Sequence, residues 1–117
     1  MDDEPLILRT MNRMIQRLGY KTGTAINGNE AIKCYKEAMN DGSPYDCVLL
    51  DLKVNNGLGG LETFKELQSK DKNIKAIVVS GSTNEAPLLQ PDKFGFKAKL
   101  AKPFSLGDLQ DVLRRSC

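Results

Sequence analysis

Short apolar runs alternate along this chain with stretches of helical period, and that alternation limits the fold more than any other feature. Cys47-Val48-Leu49-Leu50 and Ile74-Lys75-Ala76-Ile77-Val78-Val79 are bounded by turn residues and predict buried strands, best suited to a parallel sheet. Lys97 to Ala101 predicts a short last strand, and the threonine-rich Lys21 to Ile26 a weak one. Between them, Ile7, Met11, Met14, Ile15 and Leu18 recur at three- and four-residue steps, so Leu6 to Leu18 predicts an amphipathic helix stopped by Gly19. Ala31, Ile32, Tyr35, Ala38 and Met39 mark a second helix, with Asn29 as its cap, and Leu61, Phe64 and Leu67 a third. Pro87 and Pro91 interrupt any long helix between Asn84 and Lys93. Leu106, Leu109, Val112 and Leu113 face inward on the final helix, whose start at Ser105-Leu106-Gly107-Asp108 resembles a capping box. Strands that alternate with helices imply an α/β fold, a parallel sheet covered on both faces.

The chain of 117 residues suits a single domain spanning 1–117. A net charge of +2 gives no ground for nucleic acid or an anionic membrane as a partner. No apolar run is long enough to span a bilayer, and Asp2-Asp3-Glu4 directly after Met1 is unlike a signal peptide. Cys34, Cys47 and Cys117 are odd in number and lack metal spacing, which predicts a reduced, cytoplasmic protein without disulfides. There is no histidine, so His-based triads and His zinc sites are excluded from this chain.

Four polar signals fall at the chain start or just after predicted strands: Asp2-Asp3, Asp51, Ser80 and Lys102. In a parallel sheet the carboxyl ends of the strands share one edge, where ligands bind. Each residue alone has a plainer reading, as a helix-start acid, a turn hydroxyl or a surface lysine. Together they place three carboxylates in one pocket, an arrangement resolved by a divalent cation with oxygen ligands, of which Mg²⁺ is the ordinary choice for phosphate chemistry. An adjacent hydroxyl and ammonium point to a phosphoryl group, with Asp51 as nucleophile and Ser80 and Lys102 as its charge and hydrogen-bond partners.

The order of these motifs resembles the receiver domain of two-component response regulators. The matching residues are Asp2-Asp3-Glu4-Pro5, Gly19-Tyr20, Asn27-Gly28-Asn29-Glu30-Ala31, Leu49-Leu50-Asp51-Leu52, Ser80-Gly81 and Lys102-Pro103-Phe104. The resemblance implies a flavodoxin-like doubly wound sheet of strand order 2-1-3-4-5. It implies that Asp51 accepts a phosphoryl group from the phosphohistidine of a sensor histidine kinase or histidine phosphotransfer domain, as a phosphoacceptor rather than an enzyme in the ordinary sense. It further implies that Asp3 binds Mg²⁺ directly and Asp2 through water, that the Lys53 backbone carbonyl completes the ligands with Asp51, and that Lys102-Pro103 is cis. A homodimer is left open; direct contact with nucleic acid or membrane is not expected. A finer resemblance, to receivers attached to hybrid sensor histidine kinases, rests on the glycine-rich loop Asn55 to Gly60, Lys75 to Val78, Gly95-Phe96 and Ala101-Lys102-Pro103. Lys53 and Ser82 stand where the phosphoryl lifetime is commonly tuned in this family.

Two departures stand out. The family's opening strand, the middle of the sheet, precedes the acidic pair, and only Met1 represents it here. The Asp51 strand is therefore expected to have an unpaired edge. Low stability, a strand borrowed from another copy, or recruitment of Leu6-Ile7-Leu8 into the gap would follow, any of which could displace Asp2 and Asp3. Lys99 stands where many receivers carry an aromatic that changes rotamer on activation. The rival functional reading is a receiver-like interaction module that works without phosphorylation. A small phosphatase using an aspartyl-phosphate is a third reading, opposed by the lack of room for a substrate domain.

Overall fold

The computed structural model describes residues 1–81 and 85–117, and Ser82 lies outside the described residues. Among the described residues three parallel strands, β1 (Val48–Asp51), β2 (Ala76–Ser80) and β3 (Ala98–Ala101), lie in the order β1-β2-β3. Leu49 is opposite Ile77, Asp51 opposite Val79, and Ser80 opposite Ala101. Helices α1 (Pro5–Arg17), α2 (Gly28–Asn40), α3 (Gly60–Lys70), the short α4 (Ala86–Leu89) and α5 (Leu106–Ser116) connect or flank them. Pro91–Phe94 is a 3-10 turn, so the two prolines do limit this stretch to short pieces.

The period of two along β2 separates two cores. Ala76 and Val78 pack with Tyr35, Leu50, Phe64 and Leu67, the side covered by α2 and α3. Ile77 and Val79 pack with Met11, Leu100, Leu109 and Val112, the side covered by α1 and α5. All five β2 residues are buried, as a central strand apolar on both faces requires. Phe64 stacks on Phe96 with ring centroids 4.6 Å apart, fixing α3 against the turn before β3.

Helix ends follow their side chains. Pro5 opens α1 without forfeiting a hydrogen bond. Ser105 and Asp108 form the capping box expected at α5. The cap of α2 is Asn27, whose side chain accepts from the Glu30 amide at 2.9 Å; Asn29, expected in that role, instead accepts from Leu58 in the glycine loop at 3.2 Å.

Three further expectations are corrected. Lys21 to Ile26 forms no strand, because no neighbouring strand completes its ladder; its recorded rung is the Asp2 amide donating to the Ala25 carbonyl at 3.1 Å. Leu6-Ile7-Leu8 is not drawn into the gap but stays in α1, and Met1 alone takes the β1 edge. The Met1 nitrogen donates to Leu49 at 2.8 Å and the Met1 carbonyl accepts from Asp51 at 3.1 Å, the two bonds of one parallel rung. Cys47 and Cys117, expected as free thiols, are joined as a disulfide with Cα atoms 5.9 Å apart, while Cys34 is free. Their separation of 70 residues hid the pairing: α5 returns its last residue to the start of β1.

Candidate functional site

The carboxyl ends of β1, β2 and β3 carry Asp51, Ser80 and, one residue beyond β3, Lys102. The rung between Met1 and β1 delivers Asp2 to the same edge. Asp2 is 1 % exposed and Asp51 6 %, and a buried carboxylate needs partners. Lys102 supplies one to both: its Nζ donates to Asp2 Oδ2 at 2.6 Å and to Asp51 Oδ2 at 3.3 Å. Asp2 Oδ1 also accepts from the Glu4 amide at 2.9 Å, tying the site to the start of α1. Asp3 accepts from the Asn55 amide at 2.8 Å, which holds the loop after β1 against the acidic pair. Ser80 is buried at the end of β2. The Lys102-Pro103 peptide is cis, as the resemblance implied.

Glycine lets this loop close over the site. A Cβ on Gly60 would stand 2.6 Å from the Asp51 carbonyl oxygen, so α3 begins where only glycine fits. Gly57 has φ +99°, the left-handed turn that brings Leu58 back to accept from the Gly28 amide at 2.9 Å.

Burial pushes the Asp51 carboxyl above its ordinary value; Lys102 opposes the rise, and the charges of Asp2 and Asp3 add to it. Burial works against the Lys102 ammonium too, but its hydrogen bond to Asp2 and the charge of Asp51 outweigh this and raise its pKa. Lys102 is therefore a fixed cation.

Carboxylate oxygens of Asp2, Asp3 and Asp51 lie within 4.8 Å of one another. Opposite ligands of octahedral Mg²⁺ are about 4.2 Å apart, so this all-oxygen donor set fits the ion after a small closure, with waters filling the remaining positions. The carboxylates outnumber the Lys102 ammonium three to one, leaving negative charge for a divalent cation to compensate. Lys53, whose carbonyl was the expected fourth ligand, turns its side chain away to an ion pair with Glu85 at 2.7 Å.

The geometry thus gathers Asp2, Asp51 and Lys102 into contact, with the Asp3 carboxylate within 4.8 Å of the other two and Ser80 on the adjoining strand. Sequence reading missed two supports, the Asn55 amide on Asp3 and the Glu85 partner of Lys53. Neither has a sequence signal, since a backbone amide is anonymous and an exposed glutamate is common.

A parallel sheet whose carboxyl edge gathers acids around a lysine is an α/β domain with its candidate ligand site at that edge. The response regulator receiver domain family matches residues 1–114, and the chain belongs to that family. The chain is 30% identical over 116 residues to sporulation initiation phosphotransferase F of Bacillus subtilis, covering 98% of this chain and 88% of that one. It is 29% identical to the chemotaxis protein CheY of Thermotoga maritima, covering 98% and 92%. Its fold is similar, with a TM-score of 0.84 at 22% identity and coverage of 99% and 92%, to the receiver domain of a Pseudomonas aeruginosa sensor histidine kinase solved with magnesium in its active-site cleft. The fold is flavodoxin-like, as expected. No helix among the described residues is long and apolar enough to cross a membrane.

Proposed function

We propose that residues 1–117 form one receiver domain that accepts a phosphoryl group on Asp51 from a phosphohistidine of a partner protein and switches conformation in response. The observation that carries this is the contact of Lys102 with both buried carboxylates, Asp51 included, at an edge where Asp2 and Asp3 complete an Mg²⁺-sized donor set. An Asp51 oxygen attacks phosphorus; the O–P bond forms as the N–P bond breaks, and its electron pair returns to the imidazole nitrogen. Bound Mg²⁺ would supply charge compensation to the phosphoryl oxygens. Lys102 adds a fixed positive charge beside them, and the Ser80 hydroxyl donates from β2. Asp2, Asp3, Asp51 and the Lys53 carbonyl are the proposed metal ligands. The chain lacks histidine, so the phosphoryl donor, a sensor kinase or a phosphotransfer domain, is another protein or another domain. Attachment to a hybrid sensor kinase is the finer reading that the glycine-rich loop 55–60 supports.

The test is thermal unfolding with Mg²⁺, with and without beryllofluoride, a mimic of the aspartyl-phosphate. At one hundred times its dissociation constant, a ligand of the folded state adds about 2.7 kcal/mol, on the order of 10 °C for this size. The expected shift requires Mg²⁺ and disappears in Asp51→Asn. A cooperative melt that does not move would overturn the proposal and leave a phosphorylation-independent interaction module. The exposed Lys99 on β3, where an aromatic switch residue is usual, favours that second reading.

A further inference from the structure

The chain carries two Asn-Gly pairs, Asn27-Gly28 and Asn56-Gly57, and the fold treats them oppositely. Asparagine before glycine can cyclise, because the following amide nitrogen has no Cβ beside it to hinder attack on the side-chain carbonyl. At Asn27-Gly28 both reacting groups are held. The Asn27 side-chain oxygen accepts from the Glu30 amide at 2.9 Å as the cap of α2, and the Gly28 amide donates to the Leu58 carbonyl at 2.9 Å. Gly28 is also buried. At Asn56-Gly57 neither group is held: among the described residues, no hydrogen bond ties the Asn56 side chain or the Gly57 amide, and both residues are exposed. The fold nevertheless needs glycine at position 57. Its φ of +99° is left-handed, and a Cβ there would stand 2.8 Å from Asn29 Oδ1 and 3.1 Å from Asn27 Cβ. Anchors lie close on either side. The Asn55 amide donates to Asp3 at 2.8 Å and the Leu58 amide to Asn29 at 3.2 Å, so Asn56 and Gly57 alone span the gap.

We propose that Asn56 is a site of self-modification, converted with water to aspartate and isoaspartate, and that the isoaspartate form releases the loop from Asp3. The Gly57 amide nitrogen attacks Asn56 Cγ. A bond forms between them, the bond from Cγ to the side-chain nitrogen breaks, and that nitrogen leaves as ammonia with the amide proton. Water then opens the resulting succinimide. Opening at Cγ gives aspartate; opening at the Asn56 backbone carbonyl gives isoaspartate, with the main chain rerouted through the side chain. Neither oxidant nor reductant takes part. Both products add a negative charge to the exposed loop, and isoaspartate also adds a methylene to the main chain. That extra length falls between the two anchors, and the anchor with fewer bonds gives way. Leu58 is held twice, by its amide on Asn29 and its carbonyl on Gly28, whereas Asn55 is held by its bond to Asp3. Neither step draws on phosphoryl transfer.

The test is incubation of the full chain, without metal, in mildly alkaline buffer, both folded and in denaturant, followed by tryptic mass mapping. Cleavage after lysine separates the pairs, with Asn27 in residues 22–33 and Asn56 in residues 54–65. In folded protein, acid should accumulate in 54–65 roughly tenfold faster than in 22–33, because Asn27 must first leave its cap. In denaturant the two rates should converge. An isoaspartate-specific methyltransferase should label the 54–65 product, and Asn56→Gln should abolish conversion there. Hydrogen exchange of the Asn55 amide should quicken roughly tenfold in the isoaspartate form and stay unchanged in Asn56→Asp, which adds the charge without the length. Equal rates for the two pairs in folded protein, no conversion in 54–65, or conversion that survives Asn56→Gln would overturn the proposal. So would an isoaspartate form in which the Asn55 amide stays protected.

Discussion

Among the described residues, Lys102 is the side chain that bonds both buried carboxylates of the site. Replacing it with methionine leaves Asp2 and Asp51 facing each other without a cation. Breaking a fully enclosed pair costs about 3–5 kcal/mol. The Lys102 side chain is 17 % exposed, so about 2–3 kcal/mol is expected, a fall of roughly 8–12 °C in a chemical or thermal melt. Asp51 behaves in the opposite sense. Its folded pKa is raised above the ordinary 3.8, so the folded state favours the protonated acid. Stability from that preference is present below the unfolded value and lost as pH rises through the folded one. In chelator-treated protein, Asp51→Asn is therefore expected to melt higher than the parent at pH 7, with the difference closing as pH falls toward 4. A melt series over pH checks this. Asp51, Lys102 and Ser80 were legible in the sequence because each ends or follows a short apolar run. What the sequence could not convey was the order of contact: Lys102 lies closer to Asp2 than to Asp51, a choice made by where the Met1 rung sets Asp2.

At the scale of elements, local chemistry and long-range contact divide the outcome. The α5 capping box was readable because its bonds close within four residues. Ser105→Ala removes the bond to the Asp108 amide and is expected to cost about 1 kcal/mol, read from a denaturant midpoint. Segment 21–26 was misread for the opposite reason. A strand exists only with a neighbour, and sequence pattern reports propensity, not partners. Its amides, apart from any covered by α1, are expected to exchange fastest of the predicted strands, and those of β2 slowest, in native-state hydrogen exchange. The Cys47–Cys117 bond also belongs to this scale. Loop closure across 70 residues favours the joined chain by roughly 4 kcal/mol in the entropic view. Cys117→Ser is expected to lower the melting temperature of oxidised protein and to leave that of protein held in reductant nearly unchanged.

For the molecule as a whole, β2 divides the interior. Its buried run builds one core with α2 and α3 and the other with α1 and α5, and both cores reach the site through the strand ends. Stability and site geometry are thus coupled most tightly at the edge of β1. One Met1 rung there positions Asp2 and Asp3.

The sequence by itself determined the class of fold, the succession of elements and the identity of the residues at the acidic edge. These follow from local period and from the rule that parallel strands present their carboxyl ends together. The tertiary structure alone decided which asparagine caps α2, that 21–26 stays out of the sheet, and that Cys47 meets Cys117. Each depends on what stands opposite in space, and a linear sequence does not state that distance.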